Sequence, residues 1–225
     1  MASSEPTKIE KVVKINLSRG INDEVTVDIE RLEDLFVLDE EGNSIRFGDL
    51  FKDKKTVVVL LRHPQCFTAK EYAEDLAKIP DDYLEKGNVQ LVTIGPHGPD
   101  LIPMFREETG FRHAMLCDPD AAIYKAIGCK CDELNGNNQD PTTSKHVKSG
   151  WLSGILSSTY RAMWYRDFKA NLLLNGACLV LGPGKQVHSS HLDKGMFDQM
   201  PINAILEAVC GLTMSFPKDR RVLKV

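Results

Sequence analysis

Apolar residues are distributed along this chain in two ways: as short runs and at helical spacing. Val57–Leu61 is a continuous apolar run rich in β-branched residues, and Val89–Ile94 is nearly one. Both fit strands buried on both faces, as in the middle of a partly parallel sheet. Between them Tyr72, Leu76 and Ile79 recur at helical spacing, while Lys70, Glu71, Glu74, Asp75 and Lys78 fill the wet side. Strand, helix and strand in that order make a βαβ unit, which implies parallel pairing and a right-handed crossover.

The same reading extends to both ends. Val25, Val27 and Ile29 alternate with polar residues and predict a short edge strand. Leu35–Leu38 and Ser44–Phe47 flank a Gly/Asn turn and predict a hairpin, followed by a turn or short helix at Gly48–Phe51. Asp100 is placed to cap a helix through Thr109, with Pro103 in its first turn and Gly110 at its end. Ala114–Cys117 reads as a strand, and Asp118-Pro119-Asp120 starts a helix through Ile127 that Gly128 stops. Residues 132–149 are polar and read as an exposed loop.

Gly150–Lys169 reads as a helix. Its apolar stripe is Trp151, Leu152, Ile155, Leu156, Tyr160, Met163, Trp164 and Phe168, and Arg161, Arg166 and Lys169 lie on the polar side. Core packing accounts for most of such a stripe; a dimer face, or a cover over a lipid-like substrate, is the second reading. Ala177–Leu181 and Gln186–Ser190, joined by Gly182-Pro183-Gly184-Lys185, form an antiparallel hairpin. Pro201 opens a last helix over Asn203–Val209, closed by Gly211. The predicted architecture is one α/β domain over residues 31–212, a mixed central sheet with helices on both faces. A polar N-terminal extension (1–30) precedes it, and a basic, loose tail (213–225) follows.

Composition narrows the function classes. The chain has 225 residues, enough for one substantial core, and a mild formal charge of -4. No basic footprint for nucleic acid is present, and no apolar run reaches a membrane span. The N-terminus lacks the apolar segment of a secretory signal and carries Glu5 and Glu10, so a cytoplasmic protein is expected. The 6 cysteines are then expected as thiols rather than a disulfide framework. Cys129-Lys130-Cys131 is a poor zinc spacing, and His188 and His191 lack a third ligand, so no metal is expected. An incidental pair of thiols is preferred there over a resolving or redox-sensing pair.

One residue carries candidate chemistry. Cys66 sits where the first buried run gives way to the helix, expected open to solvent under the first helical turn. A thiol there meets unpaired N–H groups and the positive end of the helix dipole, which favour thiolate. Against this stands the ordinary fate of a free cysteine, a small buried hydrophobe. Arg62 could stabilise the anion and His63 relay a proton; both could equally be polar residues closing a strand. Thr68 could hydrogen-bond the sulfur or only satisfy the helix end. Glu71 reads as a surface partner rather than a base. Gly95-Pro96-His97-Gly98 reads as a turn into the next helix, and Gly182–Lys185 lacks phosphate-loop spacing.

These pieces in order resemble a known family: the Cys66 corner with Lys70-Glu71-Tyr72; Asp118-Pro119-Asp120 before a helix with Tyr124; and Leu181-Gly182-Pro183-Gly184, His188 and Pro201-Ile202-Asn203. Together they are similar to the peroxiredoxin-like AhpC/TSA family, in the branch holding selenoprotein U and prostamide/prostaglandin F synthase. The resemblance spans roughly residues 30 to 211. It implies a thioredoxin-like fold and thiol redox chemistry, with Cys66 as nucleophile. Two departures matter. Members often carry a second cysteine three positions on, where this chain has Ala69, and the peroxidatic cysteine of true peroxiredoxins would also fall at Ala69. The cis-proline that thioredoxins place opposite the thiol is replaced by Asn175-Gly176-Ala177.

The expected function is therefore a thiol oxidoreductase working with one cysteine, with Cys66, Thr68, Arg62 and His63 as site residues. It needs no bound cofactor and draws on an external thiol such as glutathione or thioredoxin. Its expected partners are a small peroxide or disulfide, a protein thiol and a second copy of the chain. The alternatives are a scaffold that lost the chemistry with the second thiol, and a reductase of bulky endoperoxides such as prostaglandin H2.

Overall fold

The computed structural model describes residues 27–131, 144–166 and 171–216. Seven strands form one mixed sheet: β1 (Phe36–Leu38), β2 (Ser44–Arg46), β3 (Lys55–Leu60), β4 (Val89–Gly95), β5 (Ala114–Cys117), β6 (Ala177–Leu181) and β7 (Val187–Leu192). Their order is β2-β1-β5-β4-β3-β6-β7. β3, β4 and β5 are parallel, with Val57 opposite Leu91 and Val92 opposite Ala114. The two hairpins flank them antiparallel, β6 against β3 and β1 against β5.

Burial on both faces explains the continuous runs. Val57, Val59 and Leu61 point into a core shared with α2 (Phe67–Leu76), α3 (Asp81–Gly87), α4 (Ile102–Thr109) and α7 (Ile202–Cys210). Val58 and Leu60 point into a second core with α1 (Ile29–Glu33) and α5 (Ala122–Ile127), through Leu32, Ile123, Tyr124 and Ile127. Alternating residues of one strand thus fill two cores, so no position from Val57 to Leu60 can be polar for solvent's sake. At the start of β6 the backbones approach closely: a Cβ on Gly176 would lie 2.3 Å from the Leu60 carbonyl oxygen.

Several expectations are corrected. The segment read as an edge strand near Val27 and Ile29 is the helix α1, because Asp28 caps it by accepting from the Arg31 N–H at 3.2 Å. Val25 lies outside the described residues. Pro80 and two aspartates open α3, which the pattern did not predict because only Leu84 is buried in it. A 3-10 turn over Pro99–Leu101 precedes α4, so Asp100 is not its cap. Of the expected exposed loop, part of the described stretch is inside: Ser144, His146 and Val147 are buried, while Lys145 is exposed. Met214 exchanges two hydrogen bonds with the Asn203 side chain, and the Phe216 ring lies 5.0 Å from His146.

The largest correction concerns α6 (Trp151–Tyr165). Its stripe from Trp151 to Trp164 faces solvent, not the core; Phe168 and Lys169 lie outside the described residues. The buried residues of α6 are Gly154, Arg161 and Tyr165, so Arg161 lies on the inner face rather than the polar outer one.

Candidate active site

The end of β3 and the start of α2 build the site. The Leu61 N–H donates to the Ile94 carbonyl at 2.8 Å, which carries the β3–β4 ladder one residue past the strand. The Tyr124 hydroxyl lies 2.7 Å from both the Leu61 and Ile94 carbonyls, fastening the two strand ends. The chain then turns through Pro64, and the Cys66 N–H donates to the His63 carbonyl at 2.8 Å. Cys66 is the N-cap of α2, with extended backbone, and its carbonyl accepts the first helical bond from Lys70. The helix begins where the pattern placed it.

The orphan N–H groups of that first turn are shared out. Phe67 N–H donates to the Ser158 hydroxyl on α6 at 3.0 Å. The N–H groups of Thr68 and Ala69 favour the thiolate without making a side-chain capping hydrogen bond to it, and the Thr68 hydroxyl stands 3.1 Å from the sulfur. Contrary to expectation the sulfur is not open to solvent: Cys66 is 6% exposed and its neighbours Arg62, His63 and Thr68 are buried. Its surroundings are polar rather than aliphatic. Burial alone raises the thiol pKa; the Arg62 charge, the Thr68 hydroxyl and the two N–H groups outweigh it, and the thiol falls below its ordinary 9.0. Cys117 and Cys129, which lack such a shell, are each pushed up by burial to about 12.

The other predicted residues are distributed around this center. The Arg62 guanidinium donates to the Asn175 side chain and, at 2.6 Å, to the Leu172 carbonyl, so the segment entering β6 aims it. Asp193, just past β7, also faces Arg62; burial raises its carboxyl, His191 and Arg62 oppose that, and it stands at about 6. The His63 Nδ1 accepts from the Gln65 N–H at 3.2 Å, and its ring packs edge-on to His97 at 6.2 Å. These contacts shape the turn that carries Cys66. Ala69 borders a cavity of about 10 Å³ with Arg62, Asp193 and Gln199, at the lower limit for one water.

Four contributors were not read from the sequence: Asn175, Asp193, Ser158 and Arg161. Arg161 pairs with Glu108, donates to the Pro64 carbonyl and lies over the Tyr165 ring at 5.3 Å. The available signal was the stripe Gly154, Ser158, Arg161, Tyr165, which recurs at helical spacing on α6. A Cβ on Gly154 would lie 2.5 Å from the Phe67 ring, which shows how closely α6 sits on α2.

Behind the sulfur, α2 is anchored by charges expected at the surface. Glu71 is buried and accepts from the N–H groups of Lys148, at 2.5 Å, and Ser149. Asp75 is buried too, against His146 at 3.0 Å and Lys78 and Lys148 at 2.7 Å each. Among the described residues no group of three or more His, Cys, Asp or Glu is placed to hold a metal ion.

Replacing Thr68 with valine removes one hydroxyl from the sulfur at near-constant volume. A hydrogen bond to a charged group is worth about 1.5 kcal/mol or more, so the Cys66 pKa is expected to rise. The pH dependence of iodoacetamide labelling measures it; an unmoved midpoint would mean the hydroxyl does not hold the anion.

A mixed sheet with helices on both faces and a cysteine at the first strand–helix corner define a thioredoxin-fold protein of the peroxiredoxin type. The comparisons agree. The model of the AhpC/TSA antioxidant enzyme family matches residues 75–195. Peroxiredoxin-like 2C of Homo sapiens is 39% identical over 195 residues, 85% of this chain and 84% of that protein. Peroxiredoxin-like 2C of Takifugu rubripes is 34% identical over 223 residues, 97% and 93% of the two chains. Among solved structures, peroxiredoxin Q of Xanthomonas campestris superposes with a TM-score of 0.50 at 16% identity, covering 80% of this chain and 92% of that one. The chain belongs to the peroxiredoxin-like AhpC/TSA family. The family-model match begins downstream of Cys66.

Proposed function

We propose that the protein reduces a small peroxide with Cys66 as its one reactive thiol and an external thiol as reductant. The observation that carries this reading is the polar shell of a buried sulfur: Thr68, two helix N–H groups and Arg62 favour the anion that burial opposes. The family's peroxiredoxin-type chemistry supports the class of reaction.

In the proposed cycle the Cys66 thiolate attacks one peroxide oxygen. An S–O bond forms, the O–O bond breaks, and the sulfur is oxidised by two electrons to the sulfenic acid. The second oxygen leaves as hydroxide or alkoxide and takes a proton from water. An external thiol, such as glutathione, condenses with the sulfenic acid to a mixed disulfide and releases water. A second thiol then frees Cys66 and departs in the oxidised disulfide. Ala69 supplies no sulfur for an internal disulfide one helical turn away, which is why the reductant comes from outside. Burial of Cys66 favours hydrogen peroxide and short alkyl hydroperoxides over bulky disulfides and endoperoxides.

The test is peroxide consumption by the full chain with glutathione or thioredoxin, with mass spectrometry of Cys66. Turnover with a sulfenic acid or glutathione adduct on Cys66 is expected. A protein that consumes no peroxide and leaves Cys66 unmodified would be a scaffold that has kept the fold alone.

A further inference from the structure

The helix α6 touches the rest of the molecule along one narrow strip, Gly154, Ser158, Arg161 and Tyr165. The remainder of its circumference presents seven large apolar side chains, among them Leu152, Leu156, Tyr160, Met163 and Trp164, each between 37% and 71% exposed. From Trp151 to Tyr165 the sequence holds no Asp, Glu or Lys. A helix apolar around most of its circumference is ordinarily a buried one. Taken at roughly 200 Å² for a large side chain, these fractions amount to roughly 800 Å² of apolar surface, beyond what monomers usually leave bare. Alongside the ridge runs a groove of about 600 Å³, walled by Phe67 and Lys70 of α2, Met104 and Glu107 of α4, and Tyr160 and Trp164 of α6.

We propose that this face is the interface of a homodimer, the α6 ridge of one copy seated in the groove beside α6 of the other. Three observations select a second copy. The area matches the roughly 800 Å² that each partner contributes to a standard-size interface. Ridge and groove lie side by side on the same molecule, so a two-fold axis brings each against its complement. Trp, Tyr and Met on the ridge are the residue types enriched at interface centres, and no charge on the ridge is left to be desolvated. A membrane fits less well: Glu107 and Glu108 at the groove and a formal charge of -4 oppose an anionic lipid surface. Because Phe67 and Arg161 line both the groove and the Cys66 corner, the second copy braces the helix that walls the thiol.

Sedimentation velocity of the full chain tests the proposal, together with the double variant Leu156→Glu, Met163→Glu. Both positions are exposed in the single copy, so the variant folds, and its circular dichroism should match the wild type. The wild type is expected to dimerise with a dissociation constant of roughly micromolar or tighter, and the variant to sediment as a monomer at ~100 μM, a loss of at least about a hundredfold. A wild type that stays monomeric at ~100 μM overturns the proposal. So does a dimer that survives the double substitution. Co-sedimentation of a monomeric wild type with phosphatidylcholine vesicles, lost in the variant, would assign the face to lipid and also overturn it.

Discussion

Replacing Cys66 with serine is expected to abolish thiol-dependent peroxide reduction, a fall of about three orders of magnitude or more. A serine hydroxyl is not ionised near neutral pH, and its oxygen cannot become a sulfenic acid. The fold should be untouched, because serine is a good N-cap and Cys66 occupies the N-cap of α2. Melting temperatures of the two proteins are therefore expected to agree within a few degrees, while peroxide consumption and glutathione adducts disappear. Replacing each of the other cysteines with serine should leave turnover in place. Undiminished turnover in Cys66→Ser would move the chemistry to another thiol. Cys117 and Cys129 are poor candidates, since burial holds both near 12.

The second large effect is one of stability. Asp75 is the shared partner of His146, Lys78 and Lys148, and Lys148 is itself buried. Asp75→Asn keeps the shape and removes the charge, leaving a buried ammonium with only a neutral amide, a loss expected at about 3 kcal/mol. Urea titration at neutral pH reads it; a change below about 1 kcal/mol would place Asp75 among exposed pairs of little consequence. The pH dependence has a definite sign. Burial raises the Asp75 carboxyl, but hydrogen bonds from His146, Lys148 and Lys78 outweigh it and bring it from 3.8 down to about 2. A depressed carboxyl contributes stability that is complete above 3.8 and is lost as pH falls through about 2. The wild type should thus lose part of its stability between those values, and Asp75→Asn should lose less there.

Much of the scaffold was legible because its signals are local. Gly110, Gly128 and Gly211 end helices with positive φ, as their positions promised. The runs at Val57 and Val89 could only be strands with both faces covered. The corner at Cys66 was legible for the same reason: an apolar run, a proline and a helical period fix where strand becomes helix. What was hidden depends on partners far away in the chain. Glu71 and Asp75 look like a wet face until residues 146–149 arrive to neutralise and bury them. Arg161 looks like surface until α2 is laid beneath α6. The stripe on α6 shows a helical period, but a period states that a helix has two faces and not which of them the molecule covers. Cys66 was expected at the surface because a helix N-terminus usually is; α6, contributed from the other half of the chain, closes over it.

The proposed chemistry requires that Cys66, though buried, react as the anion. The rate of Cys66 labelling by iodoacetamide as a function of pH, followed by mass spectrometry in the native protein, measures it directly. A midpoint below 9.0, the ordinary thiol value, is expected, with labelling at neutral pH faster than at Cys117 and Cys129. A midpoint at or above that value, or a Cys66 that stays unlabelled until the protein unfolds, would contradict it.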